Sequence, residues 1–153
     1  AQVWYWPNGE PGFRTTNEVR YAGWGMAEWM SALLEGLAGI RDASGQFRQV
    51  VLAPCWSAAS VSDVRVTARY AASKAYVAYR LQIDEDGRTL HVDCTGSGQE
   101  AQVRLRLPSG WAPRAVSMGG KPADWRLGEG EAAGCVCLNV QLAGVVSIAI
   151  ACG

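Results

Sequence analysis

Carboxylates are the main chemical handle this chain offers, and Glu28 and Glu35 are the pair whose spacing can be read. Seven residues apart on one helix, they share a face and stand about 10 Å apart along it at roughly 1.5 Å per residue. Inverting hydrolysis of a glycosidic bond uses carboxyl groups about 6.5–9.5 Å apart, and helical side chains two turns apart do not readily converge. The two are therefore not expected to act together as acid and base. Glu28, flanked by Trp24 and Trp29 just after a glycine-rich entry, is the better single candidate for a catalytic or binding carboxylate in an aromatic-lined cleft. A carboxylate in a first helical turn also suits the macrodipole without any chemistry.

Other reactive types are sparse. The single histidine, His91, sits beside Asp93 in a strand-like run and reads as a solvated strand residue. No GxSxG elbow or Cys/His signature accompanies the serines and cysteines. Gly96, Ser97 and Gly98 form a turn without the GK[ST] and following helix of a phosphate loop. The five cysteines, Cys55, Cys94, Cys135, Cys137 and Cys152, have no CxxC spacing, so no zinc ribbon is indicated. Cys135 and Cys137 share a strand face and read as packed thiols; a bridge from Cys94 to one of them stays open if the compartment is oxidising. The alternating arginines 65, 69, 104 and 106 read as a wet sheet surface interspersed with acids. No metal and no cofactor are expected.

The aromatic residues are the second handle. Trp4, Tyr5, Trp6, Phe13 and Tyr21 lie among Pro7, Asn8, Gly9, Pro11 and Gly12 in an irregular, turn-rich arm. Trp4, Trp6, Trp24 and Trp29, with Glu28, are the candidate sugar-binding set, because indoles stack on the apolar faces of pyranosides. The same rings would equally serve as core or interface surface, at about 150–250 Å² each.

One helix must position Trp24, Glu28 and Trp29. Between Gly23 and Ile40, Met26, Met30, Leu33, Leu37 and Ile40 recur at three- and four-residue steps, with Trp29 and Leu34 widening the stripe. That period predicts a core-facing helix over about 24–40. Gly39, Asp42, Ser44 and Gly45 supply its stop, and Gly36 within it suggests close approach by another backbone.

The remainder alternates with period two. Runs at 47–54, 64–70, 76–83, 89–94, 101–107, 115–118, 135–142 and 145–151 predict an antiparallel β-sandwich of about seven or eight strands, mainly β with one N-terminal helix and an aromatic-rich arm. The turn DEDG at 84–87 makes a hairpin of its neighbours. The composition shift near 41–46 divides the chain into 1–45, arm and helix, and 46–153, the sandwich.

At 153 residues the chain can bury about two thirds of its unfolded surface. Fourteen basic and fourteen acidic residues cancel, which gives no reason to expect a nucleic-acid or membrane partner. No apolar run is long enough to span a bilayer. The chain reads as soluble, in the cytoplasm or the periplasm or secreted. Its opening, AQVWYW without Met, is compatible with a removed signal peptide or with a piece cut from a longer chain.

The run YAGWGMAEWMSALLEGLAGIRD, followed by GQFRQVVLAPCW, resembles the C-terminal end of bacterial (α/α)6-barrel glycoside hydrolases, including those of the α-L-rhamnosidase type. In that family a late barrel helix passes through an LGI-like turn into a strand ending in an AP pair, and an all-β domain closes the chain. Gly39 and Ile40, then Ala53 and Pro54, occupy those places. The likeness covers about the first 56 residues by motif and the rest by architecture. It implies a terminal, structural or accessory part of a glycosidase, with further catalytic carboxylates on earlier barrel helices. Members commonly carry a His near the start of that helix, where this chain has WGMAEW and Glu28 is the nearest polar residue. The alternative is an independent carbohydrate-binding or protein-interaction sandwich. Expected partners are a carbohydrate and either the rest of a helical barrel or a second copy, met through residues 1–40.

Overall fold

The structure, a computed structural model, describes residues 23–153. The aromatic arm lies outside the described residues. After helix α1 (Gly23–Ser31) come the strands β1 (Ile40–Asp42), β2 (Gln49–Leu52), β3 (Asp63–Arg69), β4 (Tyr76–Asp84), β5 (Thr89–Gly96), β6 (Glu100–Arg106), β7 (Pro113–Met118), β8 (Lys121–Pro122), β9 (Arg126–Leu127), β10 (Cys135–Gln141) and β11 (Val146–Cys152). They form a five-stranded sheet in the order β1-β2-β6-β10-β9 and a six-stranded sheet in the order β3-β4-β5-β11-β7-β8. The expected mainly-β fold is borne out, and each of the eight period-two runs contains a strand. The three additional strands are only two or three residues long, too short to carry a period.

Alternation builds the core. Val77, Tyr79 and Leu81 of β4, Leu90, Val92 and Cys94 of β5, and Ile148 and Ile150 of β11 face Val50 and Leu52 of β2, Ala101, Val103 and Leu105 of β6, and Val136, Leu138 and Val140 of β10 in one continuous cluster. Two sheets packed through such faces give the layer that a sandwich needs. Pairing is antiparallel except between β2 and β6, which run parallel from Gln49↔Glu100 to Leu52↔Val103. The chain makes three strands of the other sheet between them, so β6 returns beside β2 in the same direction. Asp84 of the β4–β5 hairpin accepts the Gly87 N–H at 3.1 Å, as the DEDG turn requires.

The helix differs from expectation in length and in facing. α1 gives way to a π-helical turn over Ala32–Leu37, with the Ala38 N–H donating to the Leu33 carbonyl at 2.8 Å. Helix ends there: Gly39 takes φ +66° and Ile40, buried at 1 %, belongs to a strand. The expected core-facing stripe is not formed, since Trp29, Met30 and Leu33 are exposed by 66, 57 and 51 %. The sandwich is already closed by its own two sheets, and Leu34 is the helix residue that packs against its core. Gly36 has no neighbouring atom within 4 Å of where a Cβ would stand, so no backbone approaches it; the close approach is at Gly39 instead. Among the described residues no helix is long and apolar enough to cross a membrane.

Candidate functional site

The junction between helix and sandwich brings together the conspicuous exposed and the conspicuous buried features of the chain. Gly39 turns back so closely on Ala53 that a Cβ would lie 2.0 Å from the Ala53 carbonyl oxygen. Only glycine tolerates that conformation and that approach together. The Ala53 N–H donates to the Gly39 carbonyl at 2.7 Å and the Cys55 N–H to that of Leu37 at 3.0 Å, so the segment leaving β2 is laced to the helix end.

Tyr79 completes the fastening. From the middle of β4 its hydroxyl donates to the Ala38 carbonyl at 2.7 Å and accepts from Trp56 Nε1 at 2.6 Å. Burial pushes the phenol up to about 12, the hydrogen bond from Trp56 working the other way. The hydroxyl is therefore neutral at ordinary pH and keeps the proton it donates. A phenol on an inward face flanked by Val77 and Leu81 must find polar partners, and here they are a helix carbonyl and an indole.

Beside it, the β1–β2 turn is organised by Asp42. Its carboxylate accepts from the N–H groups of Ser44, Gly45 and Phe47 at 3.2, 2.9 and 3.1 Å and from the Tyr70 hydroxyl at 2.9 Å. Desolvation opposes ionisation, but the Phe47 N–H, the Tyr70 hydroxyl and the Ser44 and Gly45 N–H groups outweigh it and hold the carboxyl below its usual value. Gln46 and Phe47 sit at φ +58° and +55°, a conformation this four-donor grip maintains, and the Phe47 ring meets Tyr70 at 4.9 Å between centroids.

On this fixed base the helix presents Trp29, Met30 and Leu33 outward. Trp29 and Leu33 are four residues apart and Met30 adjoins Trp29, so the three lie close together on the helix surface. The other exposed large apolar residues among those described, Tyr70, Leu127 and Val145, are scattered. Together they make an exposed apolar patch on an element pinned at its base.

The residues proposed from sequence are dispersed. Glu28 and Glu35 are both exposed, and Glu28 shares the helix with Trp29 without any enclosing cleft among the described residues. Trp4 and Trp6 lie outside the described residues, as does the side chain of Trp24. His91 is exposed, and Asp93 beside it accepts from Ser147 Oγ at 2.6 Å. All five cysteines are free thiols. Cys94 lies in the core, its thiol pushed up to about 11 by burial, and the bridge left open from sequence is not formed. Cys135 and Cys137 are buried outside the core cluster, on the outer face of β10. Arg65 and Arg69 lie on one sheet and Arg104 and Arg106 on the other, so the four never make one basic face. Among the described residues no group of three or more His, Cys, Asp or Glu side chains could hold a metal ion.

Tyr79 and Trp56 are a fastening pair that spacing did not single out, because their partnership spans 23 residues and two elements. The one available signal was a phenol at an inward strand position.

No protein-family model and no curated protein sequence matches this chain. Among solved structures, that of an α-L-rhamnosidase from Dictyoglumus thermophilum is similar, with a TM-score of 0.54 and 18 % identity over 80 % of this chain. The match spans 13 % of that much longer protein. What the two share is a fold: this chain is built like one domain-sized part of a rhamnosidase.

Proposed function

We propose that this chain is an accessory, non-catalytic β-sandwich part of a glycoside hydrolase, standing at its C-terminal end, whose leading helix docks through Trp29, Met30 and Leu33 onto a helical catalytic domain. The observation that carries the reading is the exposed apolar side of a helix whose base is pinned at Gly39, Ala53 and Tyr79. An element that only capped its own sandwich would turn those three residues inward, at about 1.5–3 kcal/mol for each large side chain buried. The likeness to part of a rhamnosidase supplies the class of partner. The carboxylates fit this division of labour, since Glu28 and Glu35 stand exposed on the helix without a second carboxyl opposed across a cleft among the described residues.

Hydrogen exchange tests this reading on the complete polypeptide that the gene encodes. Amides over 29–37 are expected to exchange much more slowly in that polypeptide than in the 153-residue chain, with hydrolysis of an aryl rhamnoside confined to the former. Equal exchange in both, or aryl rhamnoside turnover by the isolated chain that is lost in Glu28→Gln, contradicts it.

A further inference from the structure

The outer face of the five-stranded sheet carries a groove remote in role from the helix. Two adjoining hollows of about 260 and 300 Å³ share Gln102, Arg126 and Cys137. Register explains the meeting: Gln102 of β6 pairs with Asn139 of β10, Arg104 pairs with Cys137, and Arg126 of β9 pairs with the other side of the same cysteine. With strands about 4.8 Å apart, the two arginines straddle the thiol from backbones roughly 10 Å apart. Cys137, exposed by 7 %, lies between them, and the Gln102 amide oxygen accepts from Arg104 Nε at 3.2 Å and from its Nη2, which orients that guanidinium. Asp124 and Trp125 line one hollow, and Gly128, Glu129 and Ala132 line the other.

The walls are fixed. A Cβ on Gly128 would stand 2.3 Å from the Ala132 carbonyl oxygen, so the turn folds directly onto it, while the Gly128 N–H donates to the Cys135 carbonyl at 2.9 Å. Trp125 is half-buried and packs partly against the core.

Charge and hydrogen-bonding capacity then define the ligand. Arg104 and Arg126 offset Asp124 and Glu129, so the groove is formally neutral, yet none of these groups pairs with another; the ion pair among the described residues is Arg80 with Asp63, on the other sheet. Guanidiniums only donate, carboxylates only accept, and the Gln102 and Asn139 amides do both. A hydroxyl group, which donates and accepts at once, satisfies all three kinds, and neighbouring hydroxyls fit planar bidentate groups. An anion would be drawn by the two guanidiniums and repelled by the two carboxylates, so the groove has no net preference for charge. Trp125 adds an aromatic surface at one end, as an apolar ring face requires.

We propose that this groove is a carbohydrate-binding site taking an uncharged glycosyl unit through its vicinal hydroxyls. The site belongs to the sandwich alone and does not depend on where the helix docks.

Saturation-transfer NMR and calorimetric titration of the 153-residue chain test it, with the methyl pyranosides of glucose, galactose, mannose and rhamnose as probes and glucuronate as the charged arm. At least one neutral glycoside should bind saturably in the millimolar range. Arg126→Gln, at an exposed residue, and Arg104→Gln, at a half-buried one, should each weaken it by about tenfold, with the melting temperature of each variant recorded as the check on folding. Trp125→Ala should weaken it further, and Trp29→Ser should not change it. No saturable binding of any neutral probe, binding of glucuronate alone, or binding that survives both arginine variants overturns the proposal. Loss in Trp29→Ser with retention in Arg126→Gln would place the sugar at the helix and overturn it as well. Self-association of the chain, which reports on the helix face, is unaffected by any of these outcomes.

Discussion

Replacing Tyr79 by Phe removes one oxygen and nothing else, and the structure fixes what that oxygen does. The Ala38 carbonyl, on a residue exposed by 3 %, loses its donor, and Trp56 Nε1, on a half-buried residue, loses its acceptor. A buried polar group left without a partner costs about 1–3 kcal/mol. With the carbonyl charged at full cost and the indole in part, the variant should lose about 2–4 kcal/mol, or roughly 5–15 °C in melting temperature for a chain of this size. Urea denaturation and thermal melts followed by circular dichroism read the loss. Hydrogen exchange should also show faster exchange of the Cys55 amide, whose bond to Leu37 lies one residue from the broken contact. The pH dependence gives a second check. The folded value of about 12 lies above the ordinary tyrosine value of about 10, so this stabilisation is complete below about pH 10 and is lost as pH rises through about 12. The gap between wild type and Tyr79→Phe should close over that interval. A loss below about 0.5 kcal/mol, or a gap independent of pH up to 12, would refute the claim that this hydroxyl fastens the helix to the sandwich.

Two glycines should respond oppositely. Gly39→Ala drives a Cβ into the Ala53 carbonyl at a positive φ and should cost at least about 3 kcal/mol or prevent folding, while Gly36→Ala, in open space, should be neutral or stabilising by up to about 1 kcal/mol; equal effects in urea titrations would contradict the assigned close approach. Asp42→Asn should cost about 1–2 kcal/mol at neutral pH by weakening four accepted hydrogen bonds. Because the Asp42 carboxyl is held below its usual value, its contribution is present above about pH 4 and lost as pH falls below that; stability curves for wild type and variant should converge in acid, and parallel curves would count against the arrangement. The 153-residue chain should show no turnover of aryl rhamnosides or glucosides in a chromogenic assay, and turnover abolished by Glu28→Gln would reverse that expectation.

Strand positions were legible in the sequence because a half-buried strand writes its facing into every second residue, as in Val77, Tyr79, Leu81 or Leu90, Val92, Cys94. The sheet order was not, since nothing local in Gln49–Leu52 says that its neighbour on one side will be the parallel Glu100–Arg106. The helix was legible in its existence and illegible in its facing. A period of three and four residues marks an apolar side but does not say what covers it, and Trp29, Met30 and Leu33 turned out to point away from the core. The groove was hidden for a related reason: Gln102, Arg104, Arg126 and Asn139 each look like ordinary outward sheet residues, and only the pairing of β6, β10 and β9 assembles them. The structural comparison supports the rhamnosidase-like domain that the resemblance implied but not its place at the C-terminal end, while the roles given to Trp4 and Trp6 fall on positions outside the described residues and that given to Trp24 on a side chain outside them.

Sedimentation velocity on the 153-residue chain and on its Trp29→Ser, Met30→Ser, Leu33→Ser triple variant tests most directly the claim that this helix face is an interface. Because the three side chains are already exposed, the substitutions should leave the melting temperature within the small range typical of surface changes, about 0.5 kcal/mol each. The account predicts that the wild-type chain self-associates with rising concentration and binds a hydrophobic dye, and that the variant is monomeric and binds less dye. A wild-type chain that is monomeric and dye-free throughout, or a variant that unfolds because those residues support the sandwich, would contradict it.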